Sequence, residues 1–212
     1  MDTTYFWKRW HKDFFGIMVF RSHELKKNLL RKEVSRENKQ AYIDWIRELE
    51  SKWWKIKAIV SDGKKWVLWS IPWIPSQMCH FHQKQIIQRY ITKDPILEAN
   101  IELKDISESI WKFSRETLKL LIDNWYERHV TFLKEKNDNN QLIHKRTLQA
   151  YYSIRNNLKY LYTYRDYRWI IDIPPTTNSL ESTFSWLKTY LWVHRWLTKE
   201  RKLKFIFTYL QK

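Results

Sequence analysis

The chain is 212 residues long, enough for one substantial core and short for two. Its 39 Lys+Arg against 23 Asp+Glu leave a net charge of +16, which points to a polyanionic partner, either nucleic acid or an anionic membrane surface. No run nears the roughly 18 unbroken apolar residues of a spanning helix, and the opening Met1-Asp2-Thr3-Thr4-Tyr5 lacks the basic-then-apolar pattern of a signal peptide.

The single cysteine, Cys79, excludes an internal disulfide framework and suits a reducing compartment. A hydrophobic content of 43% is too high for a disordered basic tail.

In chain order, Asp2 to Trp7 and Phe14 to Phe20 are apolar, β-branched and aromatic, and the polar stretch Lys8 to Asp13 between them predicts an antiparallel hairpin. A third strand is expected around Leu29 to Val34, followed by Ser35 as a helix cap. Tyr42, Trp45, Ile46, Leu49 and Trp53 then fall on one helical face. Lys55 to Val60 reads as a short strand that ends at Ser61-Asp62-Gly63. The order so far is β-β-β-α-β. A short helix is expected over Trp66 to Ile71, a fifth strand over Ser76 to Phe81 and a helix over His82 to Tyr90.

From Pro95 to about Arg165 the pattern is helical throughout. Leu118, Leu121, Ile122 and Trp125 share a face, Asn137 to Asn140 form a polar turn, and His144 to Tyr164 form a long helix. Ile170 to Pro175 stops regular structure. Thr177 or Ser179 is then expected to cap a helix reaching about Tyr190, with Leu180, Phe184, Leu187 and Leu191 as its core face. A last helix is expected over Lys199 to Leu210.

Three acids stand at informative places: Asp2 on the first strand, Asp62 just past the fourth, and Glu181 in the first turn of a late helix. Asp62 follows Asp2 by 60 residues, and Glu181 follows Asp62 by 119. Carboxylates converging from separate elements suit magnesium, a hard ion that takes oxygen ligands, and two such ions can clamp a phosphoryl displacement. Among 23 acidic residues, spacing alone does not separate that triad from chance.

Local context adds more. Asp2-Thr-Thr-Tyr-Phe, Ile59-Val-Ser-Asp-Gly63, Gln77-Met-Cys-His-Phe-His-Gln83 and Thr177 to Lys188 together resemble Mutator-type insertion-sequence transposases, over essentially the whole chain. The resemblance implies a ribonuclease H-like α/β fold with a mixed sheet and an all-helical insertion before the catalytic Glu. The divisions are then 1–92 for the first part of the core, 93–166 for the insertion and 167–212 for the part that carries the Glu. It further implies magnesium- or manganese-dependent DNA strand cleavage and strand transfer, with Asp2, Asp62 and Glu181 as catalytic metal ligands and Cys79 and His82 as the family's Cys-x-x-His pair. Full-length members carry a DNA-recognition region before the catalytic domain, so a chain with Asp2 at its start is expected to be a catalytic-domain fragment.

Cys79 and His82 have no second pair at ligand spacing, so a structural zinc is not expected; a buried cysteine beside a helix start explains them equally well. His80 and His129 are expected to be ordinary packed or surface histidines. The basic residues are spread along the chain and suit salt-sensitive phosphate binding. Lys188, seven residues past Glu181 on the same helix face, is the individual DNA contact expected, with His194 and Arg195 of the His-Arg-Trp-Leu segment beside it. The implied partner is double-stranded DNA, bound by a dimer or higher oligomer in a bacterial cytoplasm, with no membrane. The alternatives are a nuclease with the same triad and a DNA-binding module without catalysis.

Glycine occurs 2 times and tryptophan 14 times, where about 7% glycine, roughly 15 residues, would be ordinary. Family members carry glycine after the second Asp segment and in a His-Arg-Gly-Leu motif, and some bacterial lineages read UGA as glycine. Trp7, Trp66, Trp69, Trp73, Trp192 and Trp196 are therefore expected to be UGA-encoded glycines of the organism, with Trp10 in the same hairpin break as Trp7. Trp54 and Trp125 are expected to be genuine tryptophans.

Overall fold

In a computed structural model, residues 1–7, 14–63, 67–68 and 71–211 are described. The expected hairpin break at Lys8 to Asp13, half of the helix expected over Trp66 to Ile71, and Trp10, Trp66 and Trp69 lie outside these residues.

The chain is mixed α/β. Strands β1 (Asp2–Phe6), β2 (Phe15–Arg21) and β3 (Asn28–Val34) form an antiparallel sheet with β2 central. The register pairs Asp2 with Val19 and Phe6 with Phe15 on one side of β2, and Gly16 with Val34 on the other. Helix α1 (Lys39–Ser51) follows. Strands β4 (Ile59–Ser61) and β5 (Ser76–Met78) form a short parallel pair, Ile59 opposite Ser76 and Ser61 opposite Met78. One hydrogen bond joins the two sheets, from the Met1 ammonium to the Val60 carbonyl at 2.8 Å.

Alternation along β2 sets the layers. Met18 and Phe20 pack with Tyr42, Ile46 and Leu49 of α1 and with Ile59, Val67 and Ile71. Ile17 and Val19 face the opposite way. They pack with Phe6 and Phe15, and with two late helices, α7 (Asn178–Val193) and α8 (Lys199–Tyr209), through Leu180, Phe184, Leu187, Leu191 and Ile206. The sheet is thus covered on both faces, which explains why six of the seven residues of β2 are buried.

Between β5 and α7 the chain is helical: α2 (His80–Ile91), α3 (Glu98–Glu108), a 3-10 turn (Ile110–Lys112), α4 (Arg115–Leu133), α5 (Lys145–Leu161) and α6 (Thr163–Asp166). Leu118, Ile122 and Trp125 of α4 pack with Ile154 and Leu161 of α5 and with Ile87 and Ile91 of α2 in one core. Trp125 is fully buried and donates its indole N–H to the Ala99 carbonyl at 3.0 Å. Buried amides fix α5 against α2 and β5: Asn157 Nδ2 donates to Gln83 Oε1 at 2.9 Å, and Gln77 Nε2 donates to the Leu161 carbonyl at 3.0 Å.

Several expectations shift. The cap of α1 is Asn38, not Ser35, because the Asn38 side-chain oxygen accepts from Ala41 N–H at 2.7 Å. The fourth strand begins at Ile59 rather than Lys55, where the chain first runs alongside β5. The fifth stops at Met78, because Cys79 opens α2.

Trp53 does not lie on the face of α1. Helix α1 ends before it: Trp53 N–H bonds to Glu50 O at 2.9 Å and Trp54 N–H to Leu49 O at 3.1 Å, the two bonds of a Schellman C-cap. Trp53 sits at the left-handed position of that cap with φ 66° and is 96% exposed. Trp7 also has positive φ, 64°, but its ring packs on Phe6 and Phe15 and under the Lys202 ammonium. Trp73, Trp192 and Trp196 are exposed, with none of them at positive φ.

A left-handed φ costs a non-glycine residue about 1–2 kcal/mol, and an indole this exposed recovers little of that by burial. Trp53→Gly is expected to stabilise the chain by about 1 kcal/mol, seen as a rise of roughly 2–4 °C in thermal midpoint. Trp125→Gly should instead cost several kcal/mol through the cavity it leaves. A fall in midpoint for Trp53→Gly would defeat the cap argument.

Candidate active site around Cys79, His82 and Glu181

Two crossovers bring the site residues together. Asp62 follows the last residue of β4 directly, and Gly63 turns the chain there with φ 81°. An added Cβ on Gly63 would stand 2.2 Å from Met78 Cε, so only glycine lets the loop lie against β5. Past β5 the ladder continues for one bond, Cys79 N–H to Ser61 O at 2.9 Å. Cys79 then caps α2 by position, which sends His82 out from the first turn.

The start of α7 is pinned to the same point. His80 N–H bonds to Pro175 O at 3.0 Å. Thr177 sends its N–H to Cys79 Sγ at 3.4 Å, and its hydroxyl lies 3.4 Å from that sulfur and 3.2 Å from Glu181 Oε1. Thr177 was expected as a helix cap. It holds the cap position, but its hydroxyl spans the thiol and the carboxylate instead. His82 Nδ1 is buried and lies 3.5 Å from Glu181 Oε1.

Ligand atoms of Cys79, His82 and Glu181 thus all fall within 4.8 Å of one another, the one such group of three among the described residues. The carboxylates of Asp2, Asp62 and Glu181 do not form a group that tight. They share a field instead. Asp2 and Asp62 both push the Tyr42 hydroxyl up, after burial has done most of that work, and both act on the Met1 ammonium. Asp2 also acts on His82 and on Glu181.

Burial raises the Glu181 carboxyl above its ordinary range; His82 and the Thr177 hydroxyl oppose this, and Asp2 reinforces it. Burial pulls His82 down, but Cys79, Asp2 and Glu181 outweigh it and leave the imidazole raised. Burial pushes the Cys79 thiol up, but hydrogen bonds from His82 and Thr177 more than offset it and leave it lowered. The surroundings therefore favour the charged forms of Cys79 and His82 and disfavour that of Glu181.

Asp2 is 8% exposed and accepts from Thr3 N–H at 2.8 Å. His80 packs as expected, its Nε2 2.7 Å from Leu161 O, and His129 lies beside Glu102. Lys188 and Arg195 are exposed on and just beyond α7, and no carboxylate among the described residues pairs with them. His194 lies against Tyr190 and Trp196, with ring centroids 4.4 and 5.1 Å away.

Gly63→Ala tests what holds Asp62 in place. Positive φ and the contact with buried Met78 together should cost about 2 kcal/mol, a drop of roughly 4–8 °C in thermal midpoint. An unchanged midpoint would show that the loop after β4 does not need glycine.

No protein-family model, curated protein or solved structure matches this chain.

Proposed function

We propose that the chain is the catalytic domain of a DDE-type DNA transposase, which cleaves DNA at the end of an insertion sequence and transfers the freed strand to a target. One observation carries the reading. Cys79, His82 and Glu181 come together where β5 ends and α7 begins, Asp2 acts on His82 and Glu181, and Asp62 lines a cleft with His82, which supports the resemblance of those segments to Mutator-type transposases. The two sheets are separate, but the Met1–Val60 bond links the start of β1 to β4; strands adjacent in that way would run 3-2-1-4-5, the basis for proposing a ribonuclease H-like core with α3 to α6 as its insertion.

Asp2, Asp62 and Glu181 offer oxygens of the kind a hard cation takes, and burial holds the Glu181 carboxyl above its ordinary range, a shift that a bound cation would oppose. Magnesium, when bound by those carboxylates, would supply an activated water and charge stabilisation at the phosphorus. The chain's own residues do the rest. Thr177 and His82 hold Glu181 at the start of α7, Gly63 holds Asp62 at the end of β4, and Lys188, His194 and Arg195 present cationic and ring groups to the DNA backbone along and beyond α7.

A second reading, a DNA-binding module without catalysis, draws on the engagement of Glu181 by Thr177 and His82 rather than by the two aspartates. Asp62→Asn separates the two. It keeps shape and removes a charge, so magnesium-dependent nicking of an end-bearing duplex should fall by roughly 100-fold or more, with affinity in a gel shift unchanged or slightly higher. Nicking that survives the substitution removes Asp62 from the mechanism; no nicking by either protein, with DNA still bound, favours the second reading.

A further inference from the structure

Beside Asp62 and His82 lies a cleft of about 510 Å³ whose other walls are Gln85, Gln88, Arg89 and Lys93. His82, Gln85 and Arg89 recur at helical spacing along one side of α2, and Lys93 lies just past its end. Among the described residues every wall residue is polar, and Asp62 is the only acid. Neither Arg89 nor Lys93 pairs with a carboxylate among the described residues. The Arg89 guanidinium makes one long bond, 3.4 Å, to the Gln85 carbonyl.

The backbone is also unusual here. Thr92, between α2 and Lys93, has φ 71° and ψ 172°, a conformation that a β-branched residue adopts only under constraint. It breaks α2 one residue before Lys93, which then lines the cleft instead of following the helix.

We infer that this cleft is a phosphodiester subsite, in which Arg89 and Lys93 hold two backbone phosphates of the DNA strand as it leaves Asp62. The inference rests on the transposase reading for the position of the scissile bond, but not for the binding chemistry. From His82 to Arg89 is about 10.5 Å along α2, which spans about two nucleotides of a strand that winds as it rises about 3.4 Å per step. Arg89 therefore meets a phosphate about two nucleotides from the reacting one, and Lys93 the next beyond it. Gln85 and Gln88 offer amide donors and acceptors to sugars or base edges between them. The two unpaired cations supply charge-assisted bonds that an acidic peptide would satisfy less regularly than evenly spaced phosphates.

The test measures binding of an end-bearing duplex by fluorescence anisotropy across a sodium chloride series, with calcium in place of magnesium to hold the DNA intact. Arg89→Gln/Lys93→Gln should lower the slope of log affinity against log salt by about 1.8, two phosphate contacts at about 0.9 each. Neutral methylphosphonates placed about two and three nucleotides from the scissile bond should weaken binding by the wild-type chain and leave the double variant indifferent. Thermal midpoints within a degree of each other show that both proteins are folded. An unchanged slope, or equal sensitivity of both proteins to the methylphosphonates, overturns the subsite. A reduced slope with no magnesium-dependent nicking by the wild-type chain keeps the subsite and sinks the transposase reading. Nicking with an unchanged slope does the reverse.

Discussion

The buried sulfur of Cys79 accepts from the backbone N–H of Thr177, 98 residues further along, and the Thr177 hydroxyl lies at the same distance. That joint decides where Glu181 stands. Without it, α7 is anchored to the sheet by Leu180, Phe184, Leu187 and Leu191, an apolar stripe that would tolerate a rotation or a slide of the helix. Apolar packing resists loss of area but is not directional. A hydrogen bond from Thr177 to a fixed sulfur, backed by the His80–Pro175 bond, is directional, and it places the first turn of α7 against the first turn of α2. The helical segment between them closes a long loop at this point, so its ends need such a clamp.

The same joint explains the electrostatics. His82 stands between a thiol that it makes more acidic and a carboxyl that burial makes less acidic. A cation at His82 lowers the cost of keeping Cys79, Asp2 and Glu181 close together in a partly buried space, the same problem a divalent metal would solve from the other side of the carboxylates. Cys79 is a lone cysteine with one histidine and one glutamate, short of the four ligands of a structural zinc centre. Its geometry fits the work of a clamp and a hydrogen-bond acceptor.

Much of the fold was legible in the sequence because its elements carry strong periods. The alternation Phe15 to Arg21, the 3.6-residue spacing of Leu118, Ile122 and Trp125, and the Leu180–Leu191 stripe each name an element and its buried face. Asp62 and Glu181 were legible because they sit at element ends. Short-range chemistry between distant segments was not. Nothing in the local pattern says that the Thr177 hydroxyl turns away from its own helix cap to Cys79, since Thr at such a position reads as a cap. The Arg89–Lys93 cleft was closer to legible: His82, Gln85 and Arg89 lie at spacings of 3 and 7, a polar stripe that a search for apolar faces passes over. Ser35 was assigned from the capping preference of serine and Trp53 from the apolar spacing of α1, whereas the ends of the helix are set by the Asn38 side chain and the left-handed turn at Trp53.

Backbone geometry also bears on the scarcity of glycine. Among the described residues, five that are not glycine have φ in the left-handed region: Trp7, Lys26, Trp53, Thr92 and Asn140. Asn tolerates that region and Lys26 lies in a tight turn, but a β-branched or bulky side chain there is a genuine outlier. Two of the five are tryptophans, in a chain where tryptophan is 14 residues of 212. Both occur where glycine has a specific task, ending a strand at a hairpin and closing a Schellman cap. The two cases differ in what the indole does. At Trp7 the ring is packed against Phe6 and Phe15 and covers the buried ammonium of Lys202, so replacing it exchanges backbone strain for a lost cation–π contact. At Trp53 the ring is 96% exposed and offsets nothing. Trp125 marks the opposite extreme, fully buried with its N–H satisfied by Ala99 and its neighbours fitted around it. The cost of a tryptophan thus ranges across the chain from strain without compensation to an anchor of the helical core, and that ordering, rather than the total of 14, separates positions that require an indole from those that require none.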